Sequence, residues 1–389
     1  MTAGLLVAAA CGSSSGADDA ASESTQAPGA LPSQTTTGTD VTLPAGGSSS
    51  NGSATTPTGS GTAPTAKVPT PPAGTAMPFR GVNLAGAEFG TAKPGNDGTD
   101  YKFPTTSEID YFLSKGMNTF RIGFMWERMQ PSAYAALVPA YVAQLDGLVT
   151  YATSKNATVI LNPHNFARYY GSTVGSSQVP NAVFADLWSK LATRYQSNPR
   201  VMFNLVNEPH TMGTEQWVGA ANAAIAAIRA ANATQTIIAP GNAWTGAHSW
   251  NSSSYGTPNA VAMLDIVDPI DNTLYEVHQY MDADSGGKVG TCVSTTIGSE
   301  RLAPFVQWLR DNGKKGFVGE LAGGDNPTCN AAVTDMLNAM MAASDVLVGW
   351  LWWAAGPWWG NNVFSIEPTS NGTLVVDKPQ MALLQPFLF

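Results

Sequence analysis

Between residues 79 and 352, short runs rich in β-branched and aromatic residues alternate with longer stretches whose apolar positions recur every three or four residues. Few folds accommodate that order. The runs at 79–83, 119–122, 158–161, 201–206, 236–239, 272–277, 316–319 and 346–352 have the length and composition of strands. Between them, Ile109, Phe112 and Leu113 share one helical face, as do Tyr141, Leu145, Leu148, Val149 and Ala152, and then Leu302, Phe305, Val306 and Leu309. Further helices are expected at 184–195, 220–231 and 331–343. Thr105 and Glu108 form a capping box, and Gly116 and Gly313 are helix stops. Eight strands interleaved with helices predict an α/β chain folded as a (β/α)8 TIM barrel, a fold of roughly 250 residues with room for insertions. A doubly wound open sheet competes. It wants a Gly-rich phosphate turn after the first strand, which residues 81–86 match poorly.

The rest of the 389-residue chain reads differently. Residues 12–76 are Ser, Thr, Gly, Ala and Pro with almost no large apolar side chains, too little to offset ordering entropy, so a disordered linker is expected there. Residues 1–11 end in an apolar stretch followed by Cys11 and Gly12. That resembles the end of a bacterial lipoprotein signal, with Cys11 lipidated and the protein tethered to a membrane. It departs from the pattern in lacking a positive leader and in carrying Ala8 where Leu is usual. The apolar stretch is too short to cross a bilayer, and no other segment is long enough. Residues 77–389 form the folded domain in this reading.

The formal charge is −9, which argues against a nucleic-acid partner and suits an uncharged ligand. Eleven Trp are many, and several stand in polar, Gly-rich company where an exposed ring can stack on a ligand. Cys292 and Cys329 lie in loops flanking one strand–helix unit and could pair.

The fourth strand stops abruptly on Asn207-Glu208-Pro209, since Pro forbids its continuation, and the seventh ends on Glu320. In a barrel, C-terminal strand ends form the active site. Read there in turn are Arg121, His164, Asn207, Glu208, His278, Tyr280, Glu320 and Trp353, and all four histidines fall just past a strand. No His-Glu-x-x-His or His-x-His supports a metal, and no Gly-x-Ser-x-Gly elbow supports a serine hydrolase. No cofactor is implied. Two Glu at two strand ends suit glycoside hydrolysis: one carboxylic acid protonates the leaving oxygen while the other carboxylate attacks the anomeric carbon. Arg121, His278 and Tyr280 would aim Glu320, and Asn207 would meet a sugar 2-hydroxyl. Glu276, two residues before His278, faces the same side and is a candidate orienter.

From Phe79 onward the chain resembles glycoside hydrolase family 5 of clan A, in its endo-β-1,4-glucanase branch. The resemblance rests, in order, on Arg-Gly-Val-Asn at 80–83, Phe-Arg-Ile at 120–122, Pro-His-Asn-Phe-Ala-Arg-Tyr-Tyr-Gly at 163–171 and Asn-Glu-Pro-His at 207–210. It continues through Val-His-Gln-Tyr-Met-Asp at 277–282, Gly319-Glu320 and Trp-Ala-Ala-Gly at 353–356. It implies Glu208 as acid/base, Glu320 as nucleophile, Arg121, His164, Asn207, His278, Tyr280 and Trp353 as the supporting shell, and a Cys292–Cys329 disulfide. Asn162-Pro163 and Leu321 depart from the family's usual residues. The implied activity is a secreted or cell-surface endoglucanase, acting as a monomer on β-glucan with net retention and some transglycosylation. β-Mannanase, xyloglucanase or mixed-linkage glucanase, and a non-catalytic carbohydrate-binding protein, are the alternatives.

Among the remaining residues, Trp217, Trp244, Trp250, Trp358 and Trp359 fall in or near predicted strand-end loops and are candidate sugar platforms, with His210 beside them. Trp188 and Trp308 read as core. Glu88, Glu127, Asp282 and Asp284 read as solvated loop acids, and Tyr169 and Tyr170 as candidate cleft residues.

Overall fold

The computed structural model describes residues 77–370 and 374–389. The expected signal remnant at 1–11, the lipidated Cys11 and the linker at 12–76 lie outside the described residues. Eight parallel strands close a barrel in chain order: β1 Phe79–Leu84, β2 Thr119–Phe124, β3 Thr158–Pro163, β4 Val201–Asn204, β5 Ile237–Pro240, β6 Thr273–Tyr280, β7 Gly316–Ala322 and β8 Leu347–Ala355. Around them run α1 Thr106–Ser114, α2 Pro139–Ser154, α3 Asn181–Tyr195, α4 Thr214–Ala230, α5 Ile297–Asp311, α6 Pro327–Ala342 and α7 Pro379–Leu384. The β5–β6 connection carries only a single α-turn, Asn259–Ala262, beside short 3-10 turns. The capping box at Thr105 and Glu108 is formed.

All eight expected strands are present. β6, β7 and β8 run three residues farther than the apolar runs. On β6 and β7 the added residues include His278, Gln279 and Glu320, so hydrophobicity alone ends those strands too early, while β8 continues through Trp353, Ala354 and Ala355. α4 begins at Thr214, six residues before the Ala-rich run that marked it, and this takes Trp217 out of the loops.

Side chains alternate across each strand, which stacks the barrel interior in layers. Ile160, Met202, Ile238, Leu274, Phe317 and Leu351 form an apolar plug, with Phe79 packed against it. Two residues farther along their strands come Asn162, Asn204 and Glu276, and Asn83 and Arg121 join them from β1 and β2. All five are buried. Two residues on again along β6, His278 opens the reactive end.

Opposite that end, on the floor, the two ends of the barrel chain meet. Arg80, near the start of β1, donates from Nε to the Leu388 carbonyl at 2.7 Å and from Nη1 to the Met77 carbonyl at 3.1 Å. Cys292 and Cys329 are bonded, tying the loop after β6 to the first turn of α6.

Candidate active site

Strict alternation along β7 would point Phe317, Gly319 and Leu321 inward and Glu320 out. The register breaks instead. Val277 pairs with Val318 but His278 pairs with Glu320, and the β8 side slips between Val318 and Leu321. This bulge at Gly319 turns Glu320 into the barrel. Asn83 holds it by donating Nδ2 to the carbonyls of Gly319 at 2.9 Å and Trp352 at 3.1 Å.

The Glu320 carboxyl group accepts from Arg121 Nη1 at 2.9 Å on Oε1 and from the Tyr280 hydroxyl at 2.6 Å on Oε2. Arg121 spends its whole fork on the site. Nη1 also reaches Asn83 Oδ1 at 2.8 Å, Nη2 reaches Asn207 Oδ1 at 2.7 Å, and Nε reaches Asn204 Oδ1 at 2.9 Å. Burial and the neighbouring Glu320 and Glu208 charges push the Tyr280 phenol well above its ordinary range, so it stays a donor.

Glu208 follows β4 with φ of +40°, a left-handed conformation rare for a residue other than glycine, immediately before Pro209. Pro at 209 already disfavours the right-handed helical region for the residue before it. The bend sets the carboxyl group 2.7 Å from His278 Nδ1. Burial, reinforced by the Glu320 charge, pushes Glu208 up to about 7 against the opposing pull of His278. Burial would lower His278, but the charges of Glu320, Glu208 and Glu276 outweigh it and raise the imidazole to about 9.

A relay of amides locks the other side. Asn207 Nδ2 lies 3.1 Å from His164 Nε2, and His164 Nδ1 lies 3.1 Å from Asn162 Oδ1. Asn162 Nδ2 donates to Asn204 Oδ1 at 2.7 Å. Burial first, then Arg121 and His278, hold the His164 imidazole well below its ordinary range. It is therefore neutral, with its proton on Nδ1 and Nε2 accepting from Asn207. One N–H of Asn207 remains free.

The mouth is lined by aromatic rings. Trp353 stacks on His164 at 5.5 Å, with Trp359 edge-on to it at 5.6 Å. Trp244 lies flat against His210 at 4.3 Å and 4°. It is raised there by a turn in which Ala243, Trp244 and Thr245 are all left-handed, pinned by Thr245 Oγ1 to the Glu276 carbonyl at 2.5 Å. His210 is lowered to about 4 by burial and by Arg168. Trp358 is half exposed, as is Tyr170, whereas Tyr169 is buried with its hydroxyl on the Gln130 carbonyl.

Five expectations are corrected. Trp217 is no platform: it is fully buried in α4, its indole N–H on the Pro240 carbonyl at 2.7 Å. Trp250 is likewise core, edge-on to Phe305 and Trp308. Glu88 and Glu127 are buried, not solvated. Glu88 accepts the Gly86 N–H at 2.8 Å, and burial, only partly countered by that bond and by Arg121 and Arg128, pushes it up to about 7. Glu127 joins three strand-end loops, accepting from Asn165 at 2.6 Å and the Tyr170 N–H at 2.7 Å and pairing with Lys93 at 3.2 Å. Asp282, also buried, caps the N–H groups of Gly287 and Lys288, while Asp284 remains exposed. Asn83 and Asn204 were not singled out from the sequence. An amide inside an otherwise apolar, buried strand must find partners, and that was the signal they offered.

Among the described residues, one group, Glu208, His278 and Glu320, brings possible metal ligands within 4.8 Å of one another. Its members already bond to each other, to Arg121 and to Tyr280, a donor set suited to proton transfer and nucleophilic attack.

Residues 73–356 match the model of the cellulase family, glycosyl hydrolase family 5. Endo-beta-1,4-glucanase B of Aspergillus niger is 45% identical over 289 residues, 74% of this chain and 84% of that protein. Endo-beta-1,4-glucanase A of Emericella nidulans is 43% identical over 319 residues, 81% and 94% of the two chains. A solved endo-beta-1,4-glucanase from Xanthomonas axonopodis pv. citri superposes with a TM-score of 0.78 at 46% identity, covering 80% of this chain and 98% of its own. XacCel5A, solved with cellopentaose, gives the same TM-score at 43% identity, covering 80% and 99%. With a barrel whose strand ends gather this constellation, and with these relatives, the chain belongs to the cellulase family, glycosyl hydrolase family 5.

Proposed function

We propose that the protein is a retaining endo-β-1,4-glucanase that hydrolyses internal bonds of cellulose and soluble β-glucans. The observation that carries the stereochemistry is the closeness of its two carboxyl groups, whose ligand oxygens lie within 4.8 Å. Inverting enzymes keep their carboxyl groups roughly 6.5–9.5 Å apart to admit a water, and retaining ones about 5–5.5 Å. The relatives named endo-beta-1,4-glucanases support the substrate.

In the first step Glu320 attacks the anomeric carbon, and the glycosidic bond breaks as Glu208 gives its proton to the leaving oxygen. In the second, water attacks the same carbon, returns a proton to Glu208 and releases Glu320. A second sugar in place of water gives minor transglycosylation. Arg121 and Tyr280 aim Glu320, and the free N–H of Asn207 suits a sugar 2-hydroxyl, a contact that tightens in the transition state. Trp353, Trp244, Trp358 and His210 offer ring surface to the sugars. One chain supplies every group, which supports a working monomer. A secreted or surface-held enzyme fits the disulfide.

The test is reducing-sugar release from carboxymethyl cellulose by the full chain, beside mannan, xyloglucan and mixed-linkage glucan, with Glu320→Gln as control. Release from carboxymethyl cellulose that the substitution abolishes supports the reading. Release from mannan alone moves the substrate and keeps the mechanism. Binding with no release from any polymer overturns catalysis in favour of a carbohydrate-binding protein.

A further inference from the structure

Glu276 takes no part in the bond changes just described, yet it lies fully buried beneath them. Its Oε2 accepts from Asn204 Nδ2 at 2.5 Å. Its Oε1 faces His278 Nε2 at 3.4 Å and Arg121 Nε at 3.7 Å, and neither Oε1 nor His278 Nε2 has a hydrogen-bond partner. The β7 bulge reserves its space, because a Cβ on Gly319 would stand 1.9 Å from Glu276 Oε1. A carboxylate this deep costs several kcal/mol unless compensated. An aliphatic residue would fill the same volume without that cost, so the charge itself is what the site uses.

A count of charges shows the use. Facing His278 are Glu208 from the end of β4, Glu320 from β7, Arg121 from β2, His164 from the end of β3, and Glu276 and Tyr280 from its own strand. The strand residues of β5 and β8 include no titratable side chain. Tyr280 and His164 are neutral. Before reaction Glu208 carries its proton, so Arg121 and His278 balance Glu276 and Glu320. After the first step Glu320 is an ester and Glu208 is a carboxylate, so Arg121 and His278 balance Glu276 and Glu208. The buried charge is zero both times, and the one negative charge that stays in place is Glu276.

We propose that Glu276 is a positioning residue acting as a fixed counter-charge, which keeps His278 an imidazolium and the cluster neutral through both halves of the reaction. The inference rests on the double-displacement reading. Without Glu276 the cluster would carry an extra positive charge in each state and would shed a proton from the Glu208–His278 pair at lower pH.

The experiment uses the full chain labelled with nitrogen-15 histidine, with His278 assigned through His278→Gln. Wild type should show both His278 ring nitrogens protonated at pH 7. In Glu276→Gln the ring should titrate about one pH unit lower or more, and the alkaline limb of kcat/KM should move the same way. kcat should fall roughly 10-fold or more with KM little changed, and Glu276→Asp should recover part of both. A neutral His278 in the wild type at pH 6 overturns the proposal, and that reading needs no variant to fold. So does a Glu276→Gln enzyme with the wild-type titration and profile. Trapping of a 2-deoxy-2-fluoroglucosyl ester on Glu320 checks the underlying mechanism separately. If no ester forms while the ring is charged, it is the double displacement that fails.

Discussion

His278 Nδ1 lies 2.7 Å from Glu208 Oε1, so an imidazole proton is shared with the carboxyl group that must itself deliver a proton to the substrate. That contact pulls the Glu208 pKa down while burial and Glu320 push it up, and the balance falls at about 7. A general acid works only while protonated, so kcat/KM on a soluble cello-oligosaccharide should decline as pH rises through about 7. A profile flat to pH 9 would remove Glu208 from the acid's role.

Arg121 holds Glu320, Asn83, Asn204 and Asn207 at once, and a lysine has no fork with which to do so. Arg121→Lys should keep the charge and lose the geometry. We expect kcat to fall roughly 10²–10³-fold, the loss seen when one fixed active-site donor is removed, and the melting temperature to drop as well, because buried amide oxygens of Asn83, Asn204 and Asn207 lose donors. Near-wild-type turnover would mean that charge alone suffices.

Two tryptophans that look alike in sequence should part company when replaced. Trp244→Ala removes a partly exposed ring beside His210 and should raise KM by roughly 10-fold, equivalent to about 1.4 kcal/mol, with the fold intact. Trp217→Ala opens a hole between α4 and the barrel and should cost about 3–5 kcal/mol of stability. Equal thermal losses in the two would contradict their different burial.

Glu88 is a stability group, and the sign follows from its pKa. Raised in the folded chain from 4.5 to about 7, it leaves stability intact below the unfolded value and erodes it as pH climbs through about 7. Glu88→Gln removes the penalty of ionising a buried carboxyl group. The variant should match wild type at pH 4.5 and be more stable at pH 8, by on the order of 2 kcal/mol in denaturant titrations at the two values.

The barrel was legible because its strands are buried on both faces and read as apolar runs, while its helices carry one apolar stripe. Glu208 and Glu320 were legible because each ends such a run. What escaped was set by three-dimensional context. Trp217 sits in the first turn of α4, ahead of the alanines that announce the helix. Glu88 and Glu127 follow strands just as solvated acids would, and only folding surrounds them. The bulge that turns Glu320 inward shows in sequence only as Gly319, one glycine among 39.

The meeting of Met77 and Leu388 around Arg80 has a consequence for how this enzyme can be mounted. Anything fused at either end of the barrel, whether an anchor, a bead or a cellulose-binding module, attaches to the floor. The mouth with its tryptophans then looks away from the support, toward the polymer. An enzyme immobilised through its N terminus should keep its action on long chains, whereas one coupled through Lys93, beside the Glu127 loops, should lose long substrates before short ones.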